Sequence, residues 1–230
     1  MPGYQVENEN VKIDGVDMLI IRRLLDPQQF ADPLGEAEAL GISSASWPYF
    51  GMIWPSGLHL AAAMARRPVR AGERLLEVGC GLAVASLVAH RRGAEVTASD
   101  IHPLTGDFLR HNLLLNELPP MPYCHGDWGV PELERAPSPH GAAVRGRFDL
   151  ILGSDVLYER DDAGLLPRFI GEHATVAGEV MIVDPKRGNR APFARRMGVL
   201  GYELLETKIR DPLGPGGPAS GRLFRYLRGR

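Results

Sequence analysis

Gly79, Cys80 and Gly81 interrupt an apolar run that begins at Leu75, and a carboxylate follows at Asp100. A buried strand that breaks into a Gly-x-Gly turn brings the backbone close to a ligand, because glycine has no Cβ to obstruct the approach. Asp100 stands 19 residues after Gly81 (100 minus 81), close to the roughly 20 that separate a glycine turn from a ribose-binding acid. The pattern therefore predicts a nucleotide-binding cradle in which Asp100 accepts the ribose hydroxyls.

The residues around the turn indicate which kind of nucleotide it holds. A dinucleotide fingerprint has a third Gly or Ala three residues after Gly81, where this chain has Val84. No Gly-Lys-Ser/Thr follows, which disfavours a phosphate-binding loop. Glu77, two residues before Gly79, would repel a pyrophosphate but can accept a hydrogen bond from an ammonium group. These residues favour a cationic nucleoside.

The segment around the turn resembles motif I of the class I, seven-β-strand methyltransferases, which use S-adenosylmethionine. The resemblance implies that the amino acid part of the cofactor lies over Gly79, Cys80 and Gly81, beside Glu77. Ile101, directly after the ribose-binding acid, is expected to form an apolar floor for the adenine.

Asp127 and Trp128 follow a third apolar segment. In this class of enzyme a carboxylate here accepts a hydrogen bond from the adenine amino group, and the neighbouring ring lines the base. Asp127 can alternatively cap a turn, as aspartates often do. His102 is expected only to lead into the next helix, before Pro103.

A fourth apolar segment runs into Ser154, Asp155 and Tyr158, which are therefore expected at the mouth of the site. Methyltransferases that act on adenine N6 or glutamine amides carry Asn/Asp-Pro-Pro-Tyr here, and this chain lacks both prolines. An Asp-x-x-Tyr at this point, with Trp54-Pro-x-Gly57 upstream and Asp-Trp at 127–128, resembles the methyltransferase-like group of protein-lysine methyltransferases, also described as nicotinamide N-methyltransferase-like. The resemblance covers roughly residues 47–209 and implies cofactor contacts for Trp54 and Ser154, besides the residues named above.

The chemistry of methyl transfer explains why such residues are wanted. In-line displacement on a methyl group requires the reacting atoms to be held collinear, and such positioning contributes up to about 7–11 kcal/mol. A lysine amine with a pKa of about 10.4 must also lose its proton, which costs roughly 4.6 kcal/mol at pH 7. Asp155 is expected to capture and orient the amine, and Tyr158 to steer its lone pair or line the channel. The alternative is that Asp155 caps a loop and Tyr158 packs in the core.

Other functions remain open at this point. A small-molecule N-methyltransferase with a nicotinamide-like acceptor would need a closed, aromatic-lined pocket under residues 26–57, whereas an open groove would favour a protein. A cofactor-binding interaction module without turnover belongs to a different class of protein. A nicotinamide-dependent oxidoreductase is disfavoured by the missing third glycine.

Composition limits the partners. The chain has 230 residues, of which 44% are hydrophobic, and 26 basic against 28 acidic residues give a net charge of −2. Neither nucleic acid nor an anionic membrane is therefore expected as a partner. Two cysteines, the lack of a leader and the lack of a long apolar segment predict a reducing, cytoplasmic location. No residue cluster has metal-ligand spacing, and the sequence does not indicate an oligomeric state.

The order of elements predicts an α/β fold of the Rossmann-like class I methyltransferase type in a single domain. Residues 1–57 are expected to form an N-terminal extension that shapes the substrate channel, and residues 58–230 the methyltransferase core. A hairpin of two strands over Val11 to Ile21 is predicted around Asp14-Gly15, with Val11 and Ile13 and then Val16, Met18 and Ile20 alternating. Ser56 is expected to cap a helix over 57–67.

The core is expected to contain a seven-stranded, mostly parallel sheet with helices on both faces. Strands are predicted over 75–78, 95–99, 122–125, 148–153, 179–183, 202–209 and 223–227. Helices are predicted over 83–92, 104–118, 162–173 and 192–200. The last two strands, joined by a Gly- and Pro-rich connection over 211–221, should pair antiparallel.

Overall fold

A computed structural model describes residues 3–136, 138–158, 160–185, 189–209 and 221–229. The strands are β1 (Val6–Val11), β2 (Leu19–Leu24), β3 (Arg74–Val78), β4 (Glu95–Asp100), β5 (Tyr123–His125), β6 (Ala142–Ala143), β7 (Phe148–Ser154), β8 (Ala174–Asp184), β9 (Glu203–Ile209) and β10 (Gly221–Leu227). The helices are α1 (Glu36–Ala39), α2 (Pro55–Arg66), α3 (Val84–Arg91), α4 (Thr105–Leu115), α5 (Leu165–His173) and α6 (Arg190–Val199), with 3₁₀ turns at Trp47–Gly51 and Glu132–Glu134.

Eight of these strands form one sheet in the order β6-β5-β4-β3-β7-β8-β10-β9. Parallel pairing runs from β6 to β8, and β10 is antiparallel to both β8 and β9. The predicted α/β class, all seven predicted strands and the antiparallel final pair are confirmed. The eighth strand, β6, was missed because two alanines carry no apolar pattern that indicates a strand. Residues 211–220 of the predicted connection lie outside the described residues.

The chain reverses its direction across the sheet at β3. From β3 it moves outward through β4 and β5, and it then returns to place β7 on the other side of β3. A crevice forms at the carboxyl ends of the strands at such a reversal, and it is where open α/β sheets bind ligands. This topology brings the ends of β3, β4 and β7 together.

Alternate side chains of the central strands pack on opposite faces of the sheet. On one face, Leu75 joins a core with the hairpin β1–β2 and helices α2, α3 and α4. On the other face, Leu76 joins a core with helices α5 and α6. The N-terminal segments therefore share a hydrophobic core with the sheet, which fixes their position over its carboxyl edge.

The N-terminal hairpin has a different register from the predicted one. Val11 pairs with Leu19, and the strands do not continue to the turn at Gly15. Val11 and Ile13 are buried as the alternation predicts, but in the second strand Leu19 and Ile21 are buried and Met18 is 57% exposed, so the alternation predicted there is wrong. A shift of one residue moves a strand's whole apolar set to the other face, and here burial of Leu19 and Ile21 determines the register.

The predicted helices are all present, with ends that differ by at most three residues. The capping role predicted for Ser56 is wrong, because α2 begins at Pro55 with Trp54 as its N-cap residue and Ser56 is buried inside the helix. Proline is well suited to the first helical position, since it lacks the N–H that would be unsatisfied there. Within the described residues, no helix is long and apolar enough to cross a membrane.

Candidate active site

A cavity of about 640 Å³ lies at the carboxyl ends of β3, β4 and β7. Its volume is within the range of ligand sites, about 300–1,000 Å³. It brings together every residue that the sequence predicted for the site, namely Trp54, Glu77, Gly79, Cys80, Gly81, Asp100, Ile101, Asp127, Trp128, Ser154, Asp155 and Tyr158.

The glycine turn after β3 is built for close approach. Gly79 has a φ of +56° and Gly81 a φ of +49°, a region that residues with a Cβ rarely adopt. A Cβ on Gly81 would stand 3.0 Å from the carbonyl oxygen of Phe50, and one on Gly79 would stand 2.9 Å from Cγ1 of Val156. The turn therefore requires glycine both for its backbone angles and for the space beside it.

Asp100 ends β4 and is 8% exposed. One carboxylate oxygen accepts a hydrogen bond from the amide of Gly81 at 2.9 Å, and the other accepts one from the amide of His102 at 2.8 Å. Burial raises the pKa of Asp100, and these two amides oppose the rise. A carboxylate has about four acceptor positions, so two bonds leave capacity for the two hydroxyls of a ribose. Asp100 and the glycine turn together fit the nucleoside part of S-adenosylmethionine.

Glu77 has a structural partner that the sequence pattern did not indicate. Its carboxylate accepts hydrogen bonds from the amide of Ser86, at 2.9 Å, and from the Ser86 hydroxyl. Ser86 lies in the first turn of α3, where amides have no partner within the helix. Glu77 thus joins β3 to the start of α3 while it also lines the cavity. Burial raises the pKa of Glu77 to about 7, against the lowering effect of Ser86.

Asp127 and Trp128 lie on the loop after β5. The Asp127 carboxylate accepts a hydrogen bond from the amide of Gly129 at 2.7 Å, which is the turn-capping role that the sequence left open. The edge of the Trp128 indole lies 3.7 Å from the position that a Cβ of Gly79 would occupy. Arg168 of α5 donates to the carbonyl oxygens of Trp128 and Gly129, at 2.7 and 3.0 Å. These bonds fix the loop over the glycine turn.

Asp155 follows β7 in a left-handed backbone conformation, with a φ of +56°. Its amide donates to the carbonyl oxygen of Val183 at 3.0 Å, which attaches this turn to β8. Non-glycine residues in this conformation are uncommon and concentrate at functional sites. Ser154 faces the start of α2, where a Cβ on Gly57 would stand 3.5 Å from the Ser154 hydroxyl.

Three aromatic rings surround the outer part of the cavity near Asp155. The Tyr49 ring meets the Trp54 ring edge-on at 5.7 Å and the Tyr158 ring edge-on at 5.9 Å between centroids. The Trp54 indole N–H donates to the carbonyl oxygen of Tyr49 at 2.9 Å. Their exposures of 41%, 36% and 47% leave this aromatic collar, formed by Tyr49, Trp54 and Tyr158, open to solvent.

The lining residues that the sequence analysis did not place in the site include Tyr49, Phe50 and His102. His102 is 3% exposed, and its ring stacks on Phe50 at 3.8 Å between centroids. Burial lowers the pKa of His102 to about 3, so the imidazole is neutral at pH 7. The one available signal for Tyr49 and Phe50 was the segment 47–54, which is rich in aromatic residues and too apolar for a solvated loop.

Among the described residues, no group of three or more His, Cys, Asp or Glu side chains is placed to hold a metal ion. Cys80 and Cys124 are both free thiols. Burial raises the pKa of the Cys80 thiol well above its usual value, and the neighbouring Asp100 adds to the rise. Cys80 is thus protonated at pH 7.

The fold is that of the class I methyltransferases. A methyltransferase from Pyrococcus furiosus superposes with a TM-score of 0.57 at 20% identity, over 73% of this chain and 81% of that one. The model of the lysine methyltransferase family matches residues 47–194. The chain therefore belongs to the lysine methyltransferase family.

Curated relatives carry the names of protein-lysine methyltransferases and, over 49% of this chain, of a histone-arginine methyltransferase. The electron transfer flavoprotein beta subunit lysine methyltransferase of Danio rerio is 33% identical over 61% of this chain and 51% of its own length. The calmodulin-lysine N-methyltransferase of Arabidopsis thaliana is 30% identical over 69% of this chain and 53% of its own length. The chain thus spans about half the length of these relatives.

Proposed function

We propose that this protein transfers a methyl group from S-adenosylmethionine to the ε-amine of a lysine in a protein substrate. The observation that carries the proposal is the open aromatic collar beside Asp155, at the same cavity as the glycine turn and Asp100. Membership of the lysine methyltransferase family supports it. The names of the relatives, which act on an electron transfer flavoprotein subunit and on calmodulin, support a protein as the substrate.

The inner half of the cavity suits the cofactor. The turn at 79–81, with Glu77 behind it, would hold the amino acid part, and Asp100 would accept the ribose hydroxyls. Ile101, Asp127 and Trp128 would surround the adenine, and Trp54 and Ser154 would contact the cofactor from the outer side. When bound, S-adenosylmethionine supplies an electrophilic methyl group on a positively charged sulfur.

The outer half suits a lysine side chain. The rings of Tyr49, Trp54 and Tyr158 would surround the aliphatic stem and attract the terminal cation. Asp155 would accept a hydrogen bond from the amine and orient it, because its backbone conformation is fixed by the bond to Val183. The amine must lose a proton to water before it reacts, and the positive charge on the sulfur of the bound cofactor would lower its pKa by repulsion.

The openness of the collar favours a protein over a small molecule. A metabolite site would enclose most of its ligand, whereas the three rings here are each more than a third exposed. An exposed collar admits a side chain that remains attached to a folded protein. A reducing, cytoplasmic location is also proposed, supported by the free thiols of Cys80 and Cys124. Cell fractionation tests it.

The test is incubation of the purified protein with radiolabelled S-adenosylmethionine and a cell lysate that is then fractionated by size. Asp155→Asn is the matched variant, since Asn tolerates the left-handed backbone. We expect label in a protein fraction, methyl-lysine on mass spectrometry, and at least a hundredfold less label with Asp155→Asn. Binding of S-adenosylhomocysteine should differ less than threefold between the two.

Other results would redirect the proposal. Label only in small molecules would assign the activity to a metabolite acceptor. Cofactor binding with no transfer to any fraction would instead support an interaction module.

A further inference from the structure

A second cavity, of about 800 Å³, lies beside the aromatic collar. It runs between residues 156–158 and 160–166 on one side and helix α6 on the other, and it shares Trp128, Val156, Tyr158 and Leu165 with the first cavity. A polypeptide with a lysine in the collar can therefore extend past Tyr158 into this second cavity. We call it the flanking groove.

The carboxylates of the flanking groove are already engaged. Both oxygens of Asp161 accept hydrogen bonds from α5, from the amide of Leu165 at 2.8 Å and from that of Leu166 at 3.1 Å. Asp162 forms an ion pair with Arg160 at 2.7 Å. The negative charges in the groove are therefore used for capping a helix and for one surface pair.

Two further arginines of the groove form no ion pair with a carboxylate of any described residue. The Arg196 guanidinium donates to the backbone carbonyl oxygens of Asp161, at 2.6 Å, and Asp162. Arg195 is exposed, and it forms no ion pair with any residue in the described ranges. The groove is thus lined by three arginines and two aspartates, which give it a net charge of +1.

The flanking groove is also lined by apolar residues. Pro192 and Phe193 line the groove on the first turn of α6, and Val199 lines it with 88% of its surface exposed. A cationic and partly apolar groove is complementary to an acidic segment that also carries apolar side chains.

We infer that the flanking groove binds an acidic segment, with apolar residues interspersed, next to the target lysine of the protein substrate. The inference rests on the proposed function and narrows the substrate class to lysines in acidic surroundings. Arg195 is a specificity-determining residue in this account, and it acts on substrate binding rather than on the transferred methyl group.

The test compares two synthetic peptides, each about 15 residues long with one central lysine. One has Glu and Leu on both sides of the lysine, and the other has Arg in place of Glu. Binding is measured by fluorescence anisotropy with S-adenosylhomocysteine present, so that affinity is read without turnover. Arg195→Glu is the variant. Arg110→Glu on α4 is the matched control, because Arg110 is also an exposed helix residue and lines neither cavity.

We expect the wild type to prefer the acidic peptide. Arg195→Glu should weaken that binding about fivefold to tenfold, as expected for reversal of an exposed charge, and should strengthen binding of the Arg peptide. The preference should decrease at high salt, and Arg110→Glu should leave it unchanged. Equal binding of both peptides, or equal effects of the two variants, would overturn the inference.

Transfer from radiolabelled S-adenosylmethionine to the same peptides separates the two proposals. Selective binding that depends on Arg195 without methyl transfer would support the groove and contradict the proposed catalysis. Methylation of both peptides at equal kcat/KM, with no effect of Arg195→Glu, would support the catalysis and overturn the groove.

Discussion

The inner and outer halves of the cavity are lined by different kinds of groups. The inner half consists of backbone at 79–81 and a carboxylate, Asp100, that is 8% exposed. The outer half consists of the aromatic collar and Asp155, with rings that are 36–47% exposed. Buried backbone geometry suits a ligand that stays the same, such as a cofactor. Exposed aromatic residues, in contrast, can be substituted without disturbing the fold. The comparison indicates that cofactor use is fixed by the fold and that acceptor choice is fixed by its surface.

Gly81→Ala is expected to have the largest effect and to break both halves. The new Cβ would stand 3.0 Å from the Phe50 carbonyl oxygen, at a φ of +49°. A displacement of about 1 Å at such a site can cost about a hundredfold in rate, so we expect a loss of that size in affinity for S-adenosylhomocysteine by calorimetry and in methyl transfer.

Gly93→Ala is the control for backbone strain. Gly93 also has a positive φ, of +87°, but a Cβ there would meet nothing within 4 Å. Both variants should lose about 1–2 kcal/mol of stability, and only Gly81→Ala should lose cofactor binding. Equal cofactor affinity in the two variants would contradict the role of the turn.

Asp100→Asn is expected to break the inner half alone. The amide loses the negative charge and one acceptor that serve Gly81, His102 and the ribose. Hydrogen bonds to charged groups contribute about 1.5–3 kcal/mol, so affinity for S-adenosylhomocysteine should fall about tenfold to a hundredfold. The exposed Asp107→Asn serves as control, and cofactor affinity that is unchanged in Asp100→Asn would refute the ribose assignment.

Tyr49→Ala is expected to affect the outer half alone. The loss of one collar ring removes about 1 kcal/mol of cation–π and apolar contact, so KM for the protein acceptor should rise about fivefold while cofactor affinity stays constant. Tyr49→Phe keeps the ring and should behave like the wild type in steady-state kinetics. A lower affinity of Tyr49→Ala for S-adenosylhomocysteine would show that the Tyr49 ring also supports the inner half.

Glu77→Gln is expected to change stability and its pH dependence. Between the ordinary pKa of 4.5 and the folded pKa of about 7, the native state holds a proton that the unfolded chain has lost. The free energy of unfolding of the wild type therefore falls as pH rises through this window, by up to about 1.4 kcal/mol per pH unit.

The Gln side chain does not titrate, so the variant should show a shallower fall than the wild type in urea denaturation between pH 4.5 and 7. The exposed Glu38→Gln should keep the wild-type slope. If Glu77→Gln and the wild type have parallel pH profiles, the raised pKa of Glu77 is excluded.

The inner half of the site could be placed from the sequence because its signals are local. Gly79 and Asp100 each lie at the end of a short predicted strand, and the carboxyl ends of parallel strands converge. The same reasoning predicted the α/β fold class and the antiparallel pairing of the last two strands, since turn and strand signals lie within a few residues of each other.

The outer half could not be assembled in this way. Tyr49 and Tyr158 are 109 residues apart (158 minus 49), and no pattern within either segment indicates that their rings meet. The hairpin register failed for a related reason, because the alternation at Met18 and Ile20 is apolar on both faces and only packing against α4 chooses between them. The contact from Glu77 to Ser86 also depends on how β3 and α3 pack.

The 3₁₀ turn at Trp47–Gly51 places neighbouring residues in the two halves. The Phe50 carbonyl oxygen lies against Gly81, and the Tyr49 ring belongs to the collar. Any shift of Phe50 when the inner half fills is passed to Tyr49 through one peptide bond. Because thermodynamic coupling is reciprocal, a shift of this turn that changed the affinity for the acceptor would change the affinity for the nucleoside by the same factor. The binding of cofactor and the binding of acceptor would then share a coupling free energy that is carried by this turn.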